Sequence, residues 1–329
     1  MIQPEPDRQE PDPPSAAPRG LDLRTPAHER LVTELLDWHG ERPVADRALV
    51  DELRDELRGG LDEVATGLPR GTRIFLGKTS LNALVCDGRY LDQRDSPFEW
   101  SPQVASGKLI HRALEIDHAT HRGESVDDLV QHAWTEMATA PGSLADYLNG
   151  MARVQSSVLR HQAEQRITEY RDLWPLLPPS VPMRTEERMV FAVGDGAVVV
   201  QGTPDIVIGN VRDDRCRVLL IDLKTGQRNP MTERQDLRLY GLLATLKYGQ
   251  TPFRWATYYV TEGSWDAEDV DPNLLRGAVQ RVVDGARKVA RLQADDPGEL
   301  RLVGGSWCRF CGRRDTCPAA PSDDDGWTR

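Results

Sequence analysis

Residues 201–240, QGTPDIVIGNVRDDRCRVLLIDLKTGQRNPMTERQDLRLY, constrain this chain more than any other stretch. GTPDIVIG and RVLLIDLKTG are rich in β-branched and apolar residues and are separated by the polar turn VRDDR, a pattern that predicts two strands of one hairpin. Two acids and a lysine stand inside them. Side chains alternate along a strand, so Asp222 and Lys224 share a face in a strand whose other residues are Val218, Leu219, Leu220, Ile221 and Leu223. So apolar a strand is a buried one, and a buried charge is costly unless partnered. A divalent metal accounts for Asp205, Asp222 and Lys224 together, the ammonium being left to orient a water or neutralise developing charge. Taken alone, the D-x-K would be better read as a structural ion pair at a sheet end.

The flanking residues decide between these readings. A helix carrying Gln235 and Tyr240 follows the second strand, and well upstream lies GKLIHRALE, with Gly107, His111, Leu114 and Glu115. In this order the motifs resemble the RecB-type branch of the PD-(D/E)XK nucleases. The resemblance implies an α/β fold with a mixed central sheet flanked by helices. It also implies a site in which His111, Asp205, Asp222 and the Leu223 carbonyl hold Mg²⁺ or Mn²⁺, with Lys224, Gln235 and Tyr240 completing the catalytic set. Related proteins carry an acid on the preceding strand, which points to Glu187. One departure stands out: the family places three residues between Gln and Tyr, whereas here four intervene and Asp236 occupies the family's glutamine position.

At 329 residues the chain can bury a substantial core. Its net charge of −11 does not mark a nucleic-acid binder, but phosphate contacts depend on a local patch. Between Lys224 and Arg254 six basic residues face only Glu233 and Asp236, and Arg228, Arg234 and Arg238 are the candidate DNA contacts. An ordinary solvated helix face is the alternative. No apolar stretch approaches the roughly 18 residues of a membrane span, and a cytoplasmic location is expected.

Along the chain, residues 1–25 are Pro-rich and charged and predict a disordered tail. Residues 26–70 read as helices, with Gly59-Gly60 as a stop. TRIFLGKT ends like a phosphate-binding loop, yet Thr72 replaces its first glycine and RIFL is strand-like, so ATP binding is rejected in favour of a strand and a helix from Thr79 or Ser80 leading to Cys86. The expected core spans 71–303, with a helical insertion at about 120–175 and two strands around Gly194-Asp195-Gly196. The order helix, three strands, helix, strand, helix suits an α/β sandwich.

GGSWCRFCGRRDTCPAA, within the expected module 304–319, sets Cys308, Cys311 and Cys317 at C-x2-C-x5-C spacing, ahead of an acidic tail at 320–329. Three clustered thiolates in a chain of five cysteines point to metal or cluster ligation and require a fourth ligand. Four cysteines hold either zinc or a four-iron four-sulfur cluster. Cys86 is preferred to Cys216, and one cysteine before the core with three after it resembles the iron–sulfur nucleases related to AddB and to CRISPR adaptation nucleases. That resemblance implies a 4Fe-4S cluster, Zn²⁺ being the alternative. The expected function is a Mg²⁺- or Mn²⁺-dependent nuclease acting on DNA single strands or ends in repair, recombination or phage defence. The rival reading is a catalytically weak DNA-binding or scaffold subunit. No helicase motif is present, so any unwinding belongs to a partner.

Overall fold

The apolar run of the first motif becomes a central strand with helices packed on both faces. A computed structural model describes residues 21, 23–294 and 296–321. The tails expected at 1–25 and 320–329 lie mostly outside these residues. Helix α1 (Pro26–Arg30), continued by a π-helical turn (Leu31–Leu35), and α2 (Arg47–Gly67) precede strand β1 (Ile74–Leu76), α3 (Lys78–Ala83), α4 (Asp87–Asp95) and α5 (Pro102–Ala119). Helices α6 (Val126–Thr139), α7 (Ser143–Gly150) and α8 (Arg153–Leu173) follow. Next come β2 (Met183–Thr185), β3 (Met189–Val193), β4 (Val198–Gly202), β5 (Ile206–Ile208) and β6 (Leu219–Lys224). After them run α9 (Pro230–Tyr248), β7 (Arg254–Tyr259), β8 (Ser264–Asp269) and α10 (Pro272–Gln293), and two 3-10 turns, Ser306–Phe310 and Arg314–Thr316, close the described chain.

The strands form two sheets, ordered β1-β4-β3 and β2-β5-β6-β7-β8. The β1–β4 and β6–β7 pairs are parallel and the others antiparallel, so this is a mixed α/β architecture. The β5–β6 pairing sets Ile206 opposite Ile221 in register. Alternation along β6 then separates two cores. Leu220 joins residues of α2, α9 and α10, whereas Leu219, Ile221 and Leu223 join residues of α5, α6 and α8. Each such buried side chain contributes about 1.5–3 kcal/mol. Asp222 and Lys224 share the face of Leu220, so they emerge beside α9 and not among the insertion helices.

Three expectations need correction. Gly59-Gly60 does not stop α2, which runs on to Gly67; a Cβ on Gly60 would lie 2.7 Å from Val283, so glycine there lets α2 and α10 approach closely. Strands β2 and β8 were not foreseen: one has three residues, and the other, SWDAED, is an acidic edge strand of poor intrinsic β-propensity. The helix after β1 begins at Lys78, behind Gly77, and ends at Ala83, so Cys86 caps the next helix, α4.

Candidate metal and catalytic centre

The strands β4 and β5 belong to different sheets, and the link Gly202-Thr203-Pro204-Asp205 carries the chain across. Asp205 stands at the end of that crossing. Its Oδ1 lies 3.0 Å from His111 Nδ1 on α5, and its Oδ2 accepts the Leu223 N–H of β6 at 2.5 Å. Burial pushes the Asp205 carboxyl up, but the His111 charge and these hydrogen bonds outweigh it and hold the group below the usual carboxylate range. Opposite Asp205, Glu186 donates its backbone N–H to the Asp205 carbonyl at 3.0 Å and sits at φ 49°, a left-handed conformation unusual for glutamate. That kink between β2 and β3 turns Glu186, not Glu187, towards the site. Burial and the nearby Asp205 raise the Glu186 pKa.

Among the described residues, ligand atoms of His111, Glu186 and Asp205 all lie within 4.8 Å of one another. An imidazole and two carboxylates form a hard donor set that suits Mg²⁺ or Mn²⁺. Burial opposes charging of His111, yet Asp205 prevails and raises its pKa.

Asp222, 1% exposed, falls outside this group, though near enough for its charge to act on His111. Burying a lone carboxylate costs several kcal/mol, and here two lysines offset that cost. Lys78 Nζ is 3.4 Å from Oδ1, and Lys224 Nζ contacts Oδ2, which has no aligned hydrogen bond. Burial alone would lower both lysine pKa values. The carboxylate of Asp222, reinforced by Asp205, raises them instead, so both ammonium groups stay charged. Lys78 Nζ also lies 5.5 Å from the Tyr240 ring centroid. That ring leaves no room for a side chain at 202, since a Cβ on Gly202 would fall 2.6 Å from it. A cavity of about 820 Å³ opens over the metal-ligand group, lined by Lys78, Lys108, His111, Glu186, Asp205 and Tyr240 among others.

Of the residues expected from sequence, His111, Asp205 and Tyr240 line this cavity, with Leu223 joining through its N–H; Asp222, expected among the metal ligands, falls outside the ligand group and with Lys224 forms an ion pair that does not line the cavity. Gln235 does not join them. It lines a neighbouring groove, while Asp236, four residues before Tyr240 and thus on its helical face, is hydrogen-bonded by Asn82 Nδ2 at 2.8 Å and raised in pKa by burial. The four-residue gap between Gln235 and Tyr240 causes this. Glu187 is likewise elsewhere: it receives Lys247 Nζ at 2.5 Å, Arg184 Nε at 2.6 Å and the Tyr248 hydroxyl at 2.7 Å. The Lys78 and Glu186 contributions were missed. Lys78 lay within the rejected GKT tripeptide, and strand alternation alone says nothing of a kink at Glu186.

The expected DNA-binding arginines are already paired. Arg234 meets Asp266 at 2.9 Å, Arg238 meets Glu268 at 2.7 Å, and Arg228 contacts Glu262. The acids belong to β8 and the turn before it, elements not foreseen, so the local basic excess is cancelled in space.

The partners of Glu187 give a pH prediction. Burial opposes its ionisation, but Lys247, Tyr248 and Arg184 together lower its pKa to about 2. A folded pKa below the unfolded one stabilises the fold above the unfolded value, and that stability disappears as pH falls through the folded value. Glu187→Gln should therefore cost about 1–2 kcal/mol at neutral pH, a figure reduced for solvent screening. Denaturant titrations should show the gap to wild type closing between about pH 5 and pH 2; a gap independent of pH would contradict this assignment.

The cysteine set also converges. Cys86, Cys308, Cys311 and Cys317 line one cavity of about 170 Å³ together with Arg89, Arg313 and Trp307. The Val303 N–H points to Cys86 Sγ and the Gly305 N–H to Cys308 Sγ, both at 3.4 Å. Gly312 N–H binds Asp92 of α4 at 3.0 Å, fastening the module to the core. Cys216 lies apart, buried against Thr251 Oγ1 at 3.2 Å.

Residues 83–318 match the PD-(D/E)XK nuclease superfamily, and the chain belongs to it. Members of that superfamily are usually hydrolytic nucleases that use a divalent metal, and DNA is the substrate this membership implies. No curated protein matches the chain. Among solved structures it is similar to one described as the crystal structure of SSO0001, at 14% identity and a TM-score of 0.31, over 81% of this chain and 96% of that one. Among the described residues no helix is long and apolar enough to cross a membrane.

Proposed function

We propose that this protein is a divalent-metal-dependent DNA nuclease of the RecB-like type, cutting single strands or duplex ends. One observation carries the reading: the ligand atoms of His111, Glu186 and Asp205 gather within 4.8 Å beside the buried Asp222–Lys224 pair. Bound there, with Asp222 and the Leu223 carbonyl adjacent, Mg²⁺ or Mn²⁺ would supply Lewis acidity at the scissile phosphate and lower the pKa of water. Lys224, kept charged by Asp222, orients the attacking water. Lys78, on the other oxygen of Asp222, faces the cavity and neutralises charge that develops on the phosphate. Lys108 adds positive charge at the rim, and Asp205 fixes the ring of His111 through Nδ1, leaving the other nitrogen for metal. The expected roles of Arg228, Arg234 and Arg238 pass to Lys78 and Lys108.

The cysteine module supports a structural 4Fe-4S cluster over Zn²⁺. Its four cysteines line one cavity, and one cysteine before the core with three after it resembles the iron–sulfur nucleases. Such a cluster would fasten the module 304–319 to a nuclease core at 71–303. We further propose a cytoplasmic enzyme of repair, recombination or phage defence that relies on a helicase partner for unwinding. The direct test is to incubate anaerobically purified protein with end-labelled single-stranded and duplex DNA under Mg²⁺, Mn²⁺ or EDTA. Cleavage with metal and none in EDTA supports the reading; no cleavage under any metal favours the scaffold alternative.

A further inference from the structure

A second groove, of about 1360 Å³, adjoins the cavity over the metal ligands and shares Lys78, Thr79 and Gln93 with it. Its walls come from α3 and α4, the segment 96–99, the start of α9, α10 and the cysteine module. Three large apolar side chains along it face solvent: Phe98 is 66% exposed, Phe310 80% and Met231 83%. Scattered exposed apolar residues need no explanation, but two phenyl rings and a thioether in one groove that opens into the candidate active site do. Phe98 is buttressed edge-on by Trp100 at 4.8 Å, and the Arg309 guanidinium lies 4.9 Å from the Phe310 centroid. Each ring is thus held at one side with the rest of its surface open.

We infer that this groove is the entry path for an unpaired polynucleotide strand, whose bases stack on Phe98 and Phe310 before the backbone reaches Lys78 and the metal ligands. The inference rests on the nuclease reading and names the substrate class for that site. Three observations favour this occupant over a protein partner. The groove is continuous with the cavity where a phosphate must arrive. Its cations (Lys78, Arg89, Arg281, Lys288 and Arg309) slightly outnumber its acids (Asp92, Glu99, Asp236 and Asp284), against a chain net charge of −11. Exposed rings, one backed by Trp100 and the other by Arg309, are also what unpaired bases use, since every base offers a π-face, whereas bases inside a duplex are already stacked on each other.

The test is equilibrium binding in EDTA, where no cleavage occurs, by fluorescence anisotropy of a labelled oligothymidylate of about 20 nucleotides and of a blunt duplex of equal length. Phe98→Ala and Phe310→Ala should each weaken single-strand binding about tenfold and leave duplex binding unchanged. Phe310→Trp should retain wild-type affinity, whereas Phe310→Leu, apolar but without a π-face, should not. Circular dichroism and metal content equal to wild type establish that the variants fold, and Phe98, outside the cysteine module, provides the independent case. Unchanged single-strand affinity, or equal losses on both ligands, overturns the inference while leaving the nuclease reading intact. Wild-type protein that binds neither ligand also overturns the inference, while the nuclease reading is decided by the cleavage assay.

Discussion

Lys224→Ala protein is expected to bind single-stranded DNA with wild-type affinity and to cleave it at least about a hundredfold more slowly, the usual scale for losing a group that positions or activates the nucleophile. The argument is geometric. Lys224 Nζ contacts Asp222 on a strand whose remaining residues are apolar, and no packing need explains a second, half-buried charge there. The variant should fold, because Lys78 remains 3.4 Å from Asp222 to partner its carboxylate. Turnover measured at saturating DNA separates this role from binding. If Lys224→Ala kept wild-type turnover, the pair would be a structural ion bridge and the catalytic assignment would fall.

The second large effect concerns the cysteines. Protein purified without oxygen should be brown, with broad absorbance in the visible blue and iron and sulfide in equal amounts. Cys86→Ser should bleach it and lower its stability markedly, because the four ligands join α4 to a segment more than two hundred residues later, and metal-binding energy of this kind is folding energy. Activity should fall with stability, since the cavity of the cysteines is separate from that of the carboxylates. Cys216→Ser should keep colour and stability, as that thiol only meets Thr251. Colourless protein with one zinc per chain would select the zinc alternative instead.

What the sequence disclosed is the chemistry that local pattern encodes. Period-two alternation in LLIDLK was enough to place Asp222 and Lys224 on one face, and the structure puts both on the side of α9. The cluster of Cys308, Cys311 and Cys317 was legible from its spacing and Cys86 came from the resemblance; all four line one cavity. What escaped depends on three dimensions. The left-handed turn at Glu186 breaks the strand alternation that a sequence reader must assume, and so moves the relevant acid by one residue. The helical face of α9 is set by its packing on Gly202 and Trp255, and that packing turns Asp236 inward and Gln235 outward. Arg234, Arg238 and Arg254 looked unopposed in sequence because their acidic partners lie on β8, whose composition hides it as a strand. Lys78 comes from a segment some 140 residues before its partner Asp222, beyond the reach of any local motif.

The central claim is that His111, Glu186 and Asp205 hold the metal that cleaves DNA. Its most direct test compares wild type with Asp205→Asn, a near-isosteric change, for cleavage of an end-labelled single strand across a Mn²⁺ titration. Wild-type activity should rise and saturate with metal. Asp205→Asn should stay inactive, or demand far more Mn²⁺, while its circular dichroism and cluster content match wild type. An Asp205→Asn enzyme with the wild-type metal dependence and rate would contradict the account, because catalysis would then proceed without the carboxylate on which the proposed site is built.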